Sequence, residues 1–270
     1  MKPKKSLGQN FLKSEVALRK IIEAGEIKKD DVILEIGPGK GALTKKLLEH
    51  AGLVIAVEKD RELFEFLKEK FAEEIKLSSL ILVHDDILKF DITKIVQSVL
   101  TYKIIANIPY NITGAILKKF LTAANQPESM VLMVQHEVAT RILARDNKES
   151  ILSISVKAYG EPKMIMKVDK RYFSPAPKVN SAIIKISNIN RKIFTSPPAP
   201  LLTGEGSQRS GEVDENKFWE IVKAGFAHKR KKLSSNLKIL SKNGSLASVS
   251  NLGNKRAEDL TLADWILLAK

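Results

Sequence analysis

Short apolar runs recur between residues 32 and 187, most of them followed by a stretch with helical spacing. "VILEIG" (32–37), "LVIAVEK" (53–59), "SLILVHDD" (79–86), "YKIIANIP" (102–109) and "SMVLMVQ" (129–135) read as strands. Their apolar residues are nearly continuous rather than alternating, which predicts strands buried on both faces. "GALTKKLLEHA" (41–51) repeats Leu43, Leu47 and Leu48 at helical spacing. "RELFEFLKEKF" (61–71) puts Leu63, Phe64, Leu67 and Phe71 on one face, and "TGAILKKFL" (113–121) is a third helix. Strands alternating with helices predict a parallel sheet covered on both sides. "KMIMKVD" (163–169) and "SAIIKIS" (181–187) add two strands. They flank "RYFSPAPKVN", whose prolines keep it out of a sheet interior. Residues 151–159 fit helix and strand equally well by pattern.

The pattern breaks after Phe194. From there to Glu215 the chain is rich in Pro, Gly and Ser and reads as a linker or disordered insert. Helical spacing then returns in "KFWEIVKAGFAHKRKKLSSNLKIL" and "LTLADWILLA". The expected organisation is an α/β domain over 1–190, a linker over 191–215 and a small, basic, all-helical domain over 216–270. No internal repeat is visible.

Charge adds a partner to this picture. The 270 residues carry a net charge of +14. Residues 1–20 hold six Lys/Arg against one acid, and residues 216–270 hold eleven against four. The long middle is nearly neutral. Cationic surfaces at both ends of the chain favour phosphate backbones through counterion release. The absence of cysteine excludes disulfides and thiolate metal sites. The four histidines have no metal-ligand spacing, so no metal is expected. No apolar run reaches the length of a membrane span, and no apolar signal segment follows the basic start. The expectation is a cytoplasmic protein without a membrane or an obligate protein partner.

"LEIGPGKG" places Glu35, Gly37, Gly39 and Gly41 where the first of these strands turns into a helix. Glycines there let the backbone approach a ligand, at the strand edge where open α/β sheets bind ligands. Glu58 ends the second strand, about twenty residues on, where a carboxylate accepts ribose hydroxyls. Asp86 ends the third and suits an adenine amino group. Together they predict a site for an adenosine-containing cofactor, either a dinucleotide or S-adenosylmethionine.

The fourth strand ends in Asn107-Ile108-Pro109-Tyr110, on the same edge. An exocyclic adenine amine is a poor nucleophile because its lone pair is delocalised into the ring. Two acceptors for its N–H groups would pull the nitrogen toward tetrahedral geometry. Asn107 Oδ1 is one acceptor and the Ile108 carbonyl the second. Pro109 fixes the local backbone, and Tyr110 offers a flat face to the base. This is positioning and electrostatic preorganisation rather than acid–base catalysis.

"EIGPGKG", "NIPYNIT", "FSPAPKVNSAIIKI" and the early "KKSLGQNFL" resemble the rRNA adenine N6-dimethyltransferases. The family has two branches, the KsgA-type small-subunit enzymes and the Erm-type large-subunit enzymes. "AGFAHKRKKLSSNL" and "RAEDLTLADWILLA" resemble the helical tail of the KsgA type. Ile108 and Asn180 follow the Erm pattern. The resemblance implies a seven-stranded methyltransferase sheet with one antiparallel strand, and S-adenosylmethionine as donor. It implies cofactor contacts at Asn10, Leu12, Gly37, Glu58, Asp86 and Asn107, with Gln9 and Gly39 beside them. The implied substrate is a pair of adjacent adenosines in the 3′-terminal hairpin of small-subunit rRNA, dimethylated during ribosome biogenesis. Each adenine must leave its stack, and Tyr110 and Phe173 would sandwich it. Lys4, Lys5, Lys229, Arg230, Lys231 and Lys232 are then candidate phosphate contacts, the last four within an apparent helix. The competing expectations are an Erm-like enzyme and a non-catalytic RNA- or ribosome-binding factor of the same fold.

Overall fold

The computed structural model describes residues 3–4, 7–95, 101–194, 213–241, 252 and 254–270. The expected insert lies largely outside the described residues. Contacts divide the chain into two compact units, one of residues 1–139 and 160–189, the other of 140–159 and 190–270. The second unit therefore takes in a segment that the sequence pattern groups with the α/β domain.

Nine strands and eleven α-helices are described. In chain order they begin with β1 (Phe11–Leu12), α1 (Glu15–Gly25), β2 (Val32–Ile36), α2 (Ala42–Leu48), β3 (Leu53–Glu58), α3 (Arg61–Lys70), α4 (Ala72–Lys76) and β4 (Leu80–His84). Next come β5 (Lys103–Asn107), α5 (Thr113–Leu121), β6 (Ser129–Gln135), α6 (His136–Leu143), α7 (Ile151–Lys157), β7 (Glu161–Val168), β8 (Phe173–Ser174) and β9 (Ser181–Ser187). The C-terminal helices are α8 (Glu215–Gly225), α9 (Leu233–Asn236), α10 (Lys238–Ser241) and α11 (Leu262–Ala269). The pattern-ambiguous stretch 151–159 forms α7, capped by Ser150 and Ser153.

The first unit holds a seven-stranded sheet in the order β4-β3-β2-β5-β6-β9-β7. All neighbours are parallel except those of β9, which runs against both β6 and β7. From β2 the chain winds outward through β3 to β4, then returns to place β5 on the other side of β2. The strand order reverses between β2 and β5, so their C-terminal ends open into a crevice.

Burial explains the continuous apolar runs. Ile33, Val54, Ile105, Val131 and Ile183 pack with α1 and α2 through Ala17, Leu18, Ile21, Leu43 and Leu47. The alternate residues Leu34, Ile55, Ile104, Leu132 and Ile184 are fully buried too, so the interior strands are covered on both faces. Sequence pattern alone passes over α1. Its signals are an N-cap at Ser14, whose side chain accepts the Ala17 N–H, and the spacing of Ala17, Leu18 and Ile21. The two-residue pair β1–β8, with Phe11 opposite Ser174 and Leu12 opposite Phe173, is too short for any periodicity to reveal.

In the second unit Trp265, Phe218, Leu233 and Leu260 are fully buried. A Cβ at Gly225 would lie 2.4 Å from the Trp265 ring, so the glycine is what lets α11 close on α8. Tyr159 donates to the Glu215 carboxylate, which also pairs with Arg191, and the Trp219 indole N–H donates to the Tyr159 hydroxyl.

Candidate active site

A cavity of about 560 Å³ opens at the reversal point of the sheet. Its walls come mainly from the N-terminal segment 7–13, the β2–α2 turn, the ends of β3 and β4, and residues 107–112 at the end of β5. Gln9, Asn10, Leu12, Gly37, Gly39, Glu58, Asp86, Asn107, Ile108, Pro109 and Tyr110 all line it. The volume suits one nucleoside-sized ligand.

The β2–α2 turn approaches by virtue of its glycines. Gly39 has φ +60, and a Cβ there would sit 3.0 Å from the Phe11 ring. Its N–H donates to Glu58 Oε2 at 3.1 Å, while Glu58 Oε1 accepts the Asp60 N–H at 2.8 Å. Burial raises the Glu58 carboxyl, and these N–H groups pull it back. Each oxygen keeps a lone pair for a further donor.

Glu35 lies deeper. It is fully buried, and its Oε2 has no hydrogen-bond partner among the described residues. Burial pushes its carboxyl up to about 8, with Thr44 opposing and Glu58 adding to the rise. The residue adjoins the cavity as a neutral acid at neutral pH, a state the sequence does not reveal.

Asp86 follows β4 with Oδ2 on Lys59 Nζ at 2.8 Å and Oδ1 on the Leu88 N–H at 3.0 Å. Those two partners, Lys59 first, hold it below the usual carboxylate range. Lys119 donates to the carbonyls of Ile87 and Phe90 and so fixes the loop that carries Asp86.

At the end of β5, Asn107 Nδ2 donates to the Asn10 carbonyl at 3.1 Å. The amide is thereby oriented, and Oδ1 is left without a donor among the described residues. Ile108 is buried, and its carbonyl has no backbone donor among the described residues. Pro109 holds φ −61 and starts the 3₁₀ turn Tyr110–Ile112. The Tyr110 hydroxyl bonds to Ser181 Oγ, which fixes the ring plane. Burial raises the phenol, so it stays protonated, with Ser181 opposing.

Three expectations meet a different geometry. Phe173 does not line the cavity: it is 3% exposed and packs in the core with Leu12, Leu18 and Ile183. Its place opposite Leu12 on β1 turns it inward, so it is no second face for a base in this structure. Lys4 is not a free cation either. It pairs with Asp60 Oδ1 at 2.8 Å and Glu62 Oε1 at 3.1 Å. Lys5 lies outside the described residues. Finally, Lys229–Lys232 form an exposed turn between α8 and α9, not part of a helix. Asn236 builds that turn by donating to the Gly225 and His228 carbonyls, the second at 3.1 Å. The buried Asn overrides the helical spacing by taking up the carbonyls at the end of α8.

Asp60 was passed over at the level of sequence. It is 4% exposed, caps α3 through the Glu62 N–H at 3.0 Å, and binds Gln9 Nε2 at 2.7 Å. Burial raises its carboxyl, but Lys4 and Gln9 outweigh that and leave it below the ordinary range. An Asp directly before a helical pattern was the available signal.

Known proteins are similar to this chain. The family model described as ribosomal RNA adenine dimethylase matches residues 1–197. Ribosomal RNA small subunit methyltransferase A of Dehalococcoides mccartyi (strain CBDB1) is 40% identical over 271 residues, 98% of this chain and 87% of its own length. The protein of the same name from Fusobacterium nucleatum is 35% identical over 277 residues, covering 100% of this chain and 97% of its own. Among solved structures, a dimethyladenosine transferase from Plasmodium falciparum superposes with TM-score 0.74 at 25% identity, covering 96% of this chain and 95% of that one. The 23S rRNA methyltransferase ErmE does so with TM-score 0.70 at 25% identity, covering 96% and 98%. The match over residues 1–197, and relatives that this chain spans almost end to end, make it a member of the ribosomal RNA adenine dimethylase family.

Proposed function

We propose that this chain transfers methyl groups from S-adenosylmethionine to N6 of two adjacent adenosines in the 3′-terminal hairpin of small-subunit rRNA, during ribosome maturation. The observation that carries this reading is the orientation of Asn107. With Nδ2 committed to the Asn10 carbonyl, Oδ1 is the group left to face a ligand. An amide oxygen and the Ile108 carbonyl, side by side, form an acceptor pair for an –NH₂ group. A hydride-transfer site would have no use for such a pair.

The residues present fit the donor. Glu58 keeps acceptor capacity for ribose hydroxyls, and Asp86 is held ionised for an adenine amine. The Gly37 and Gly39 backbone and the Asn10–Leu12 segment would enclose the rest, with Gln9 holding that segment to Asp60. When bound, the sulfonium supplies an electrophilic methyl group and its own leaving group. The chain's part is to aim the acceptor nitrogen. Asn107 Oδ1 and the Ile108 carbonyl take the two N–H groups, the nitrogen turns toward tetrahedral geometry, and its lone pair leaves conjugation with the ring. Tyr110 offers its face to the base and, hydrogen-bonded to Ser181, does not rotate. The amine proton lost after transfer needs no strong base, because the methylated nitrogen is a strong acid before it leaves.

The helical unit and its basic turn Lys229–Lys232 supply phosphate contacts in this reading. A ribosomal substrate implies a cytoplasmic site of action. Among the described residues no helix is long and apolar enough to cross a membrane. The Erm-like reading shares the cavity, and the small-subunit relatives favour the first.

The test is methyl transfer from labelled donor to purified unmethylated small and large subunits, followed by mass spectrometry of the nucleosides. N6,N6-dimethyladenosine in the small subunit is expected. Label confined to the large subunit would overturn the choice of substrate.

A further inference from the structure

The nearly neutral middle of the chain hides a local concentration of charge. Residues 163–178 contain five Lys/Arg and one acid, Asp169. Lys170, Arg171 and Lys178 are exposed, and Tyr172 between them is 46% exposed. Among the described residues, Arg171 is the only one of these cations that meets a carboxylate, Asp169 at 3.0 Å.

This turn is built rather than loose. Asp169 Oδ1 accepts the Arg171 N–H at 2.9 Å and its Nε at 3.0 Å. Asn180 Oδ1 accepts the Lys170 N–H at 3.0 Å. The Tyr172 N–H donates to the Asp169 carbonyl at 3.1 Å, and the Tyr172 carbonyl accepts the Lys13 N–H at 2.8 Å. The last bond continues the β1–β8 pair to the cavity wall, which includes Lys13 and Ser174. Side chains alternate along a strand. Leu12 and Phe173 turn to the core, so Tyr172 and Ser174 share the opposite face with Phe11 and Lys13. The exposed aromatic beside this part of the cavity wall is therefore Tyr172, one residue from the buried Phe173.

We propose that the Lys170–Arg171–Tyr172 turn, with Lys13 and Lys178, is a docking surface for the RNA strand that flanks the adenosine entering the cavity. The inference rests on the RNA-methyltransferase reading above. The cations engage phosphates, and Tyr172 stacks on a neighbouring unpaired base. An exposed aromatic set among exposed cations is the chemistry that single-stranded nucleic acid selects. An extruded base leaves its neighbours unstacked, which is the situation such a surface relieves.

The experiment uses the full chain with unmethylated small subunits, and with the isolated unmethylated 3′-terminal hairpin as binding probe. K170A/R171A and, separately, Lys178→Ala should lower the salt dependence of hairpin binding, by about two and about one in slope respectively. Tyr172→Ala should raise KM for small subunits roughly tenfold or more. It should leave the salt slope and the cofactor dissociation constant unchanged. Tyr172→Phe should restore the wild-type KM, because stacking needs the ring and not the hydroxyl. Unchanged slope in K170A/R171A and unchanged KM in Tyr172→Ala, with wild-type melting temperatures, would overturn the docking surface. Failure of the wild type to methylate small subunits would instead overturn the function. The hairpin slopes would then still decide the surface.

Discussion

The side-chain amide of Asn107 donates to the main-chain carbonyl of Asn10 at 3.1 Å, across 97 positions of sequence. This bond makes the end of β5 and the N-terminal segment parts of one site. It also decides which end of the amide a substrate amine would meet.

Asn107→Ala removes the acceptor and the tether together. Methyl transfer should fall by about 10²–10³, the usual effect of losing one preorganised polar contact to a transition state. Asn107→Asp keeps an acceptor but has no N–H for Asn10. It should therefore weaken cofactor binding, which calorimetry would register. Wild-type single-turnover rates in Asn107→Ala would refute the proposed role.

Glu35 gives a signed pH dependence. Burial raises its carboxyl from the ordinary 4.5 to about 8 in the folded chain. Between those values the folded state holds a proton that the unfolded state has released. Stability from this group is therefore fully present below 4.5, falls as pH rises, and levels off above about 8. The total is on the order of 5 kcal/mol. In Glu35→Gln the difference in unfolding free energy between pH 5 and pH 8 should shrink by most of that amount. Denaturant titrations at the two pH values read it directly, and an unaltered difference would reject the assignment.

Gly39→Ala puts a Cβ 3.0 Å from the Phe11 ring, at φ +60. The left-handed backbone alone costs about 1–2 kcal/mol. Cofactor affinity should fall by tenfold or more, because the turn that carries the Gly39 N–H must shift off Glu58. Adding Phe11→Ala relieves the contact but not the backbone, so recovery should be partial. Full recovery would mean that the ring contact was the whole effect.

Lys4 and the Lys229–Lys232 turn should separate by salt. Lys4 holds Asp60, and Asp60 holds Gln9, so Lys4→Met should raise the cofactor dissociation constant and leave the salt slope of RNA binding alone. Replacing Lys229, Arg230, Lys231 and Lys232 by Ala should reduce that slope by up to about four and spare the cofactor. A reduced slope in Lys4→Met would return this residue to the phosphate contacts.

The sheet strands, the glycine turn and the acids at strand ends were legible because each leaves a local mark. An apolar run, a Gly-x-Gly at a strand end and an acid closing an apolar run are all properties of neighbours in sequence. Phe173 shows where local marks stop. Its proline-rich motif suggested a stacking face for a base, yet pairing with β1 turns it into the core and leaves Tyr172 outside. The basic turn after α8 was read as helix because the spacing from Phe226 to Leu240 is helical. There the Asn236 side chain, eight residues beyond His228, takes up main-chain carbonyls that a continuing helix would use.

The sequence by itself determined the α/β alternation, the family motifs and the residue types that line the cavity. Periodicity and composition are set by which faces must be buried, and that requirement is written one residue at a time. The tertiary structure alone decided that Glu35 is a neutral acid, that Lys4 is spent on Asp60, and that Asn107 presents its oxygen. Each depends on a dielectric or a partner supplied from far along the chain, and such partners are fixed only when the sheet closes on its helices.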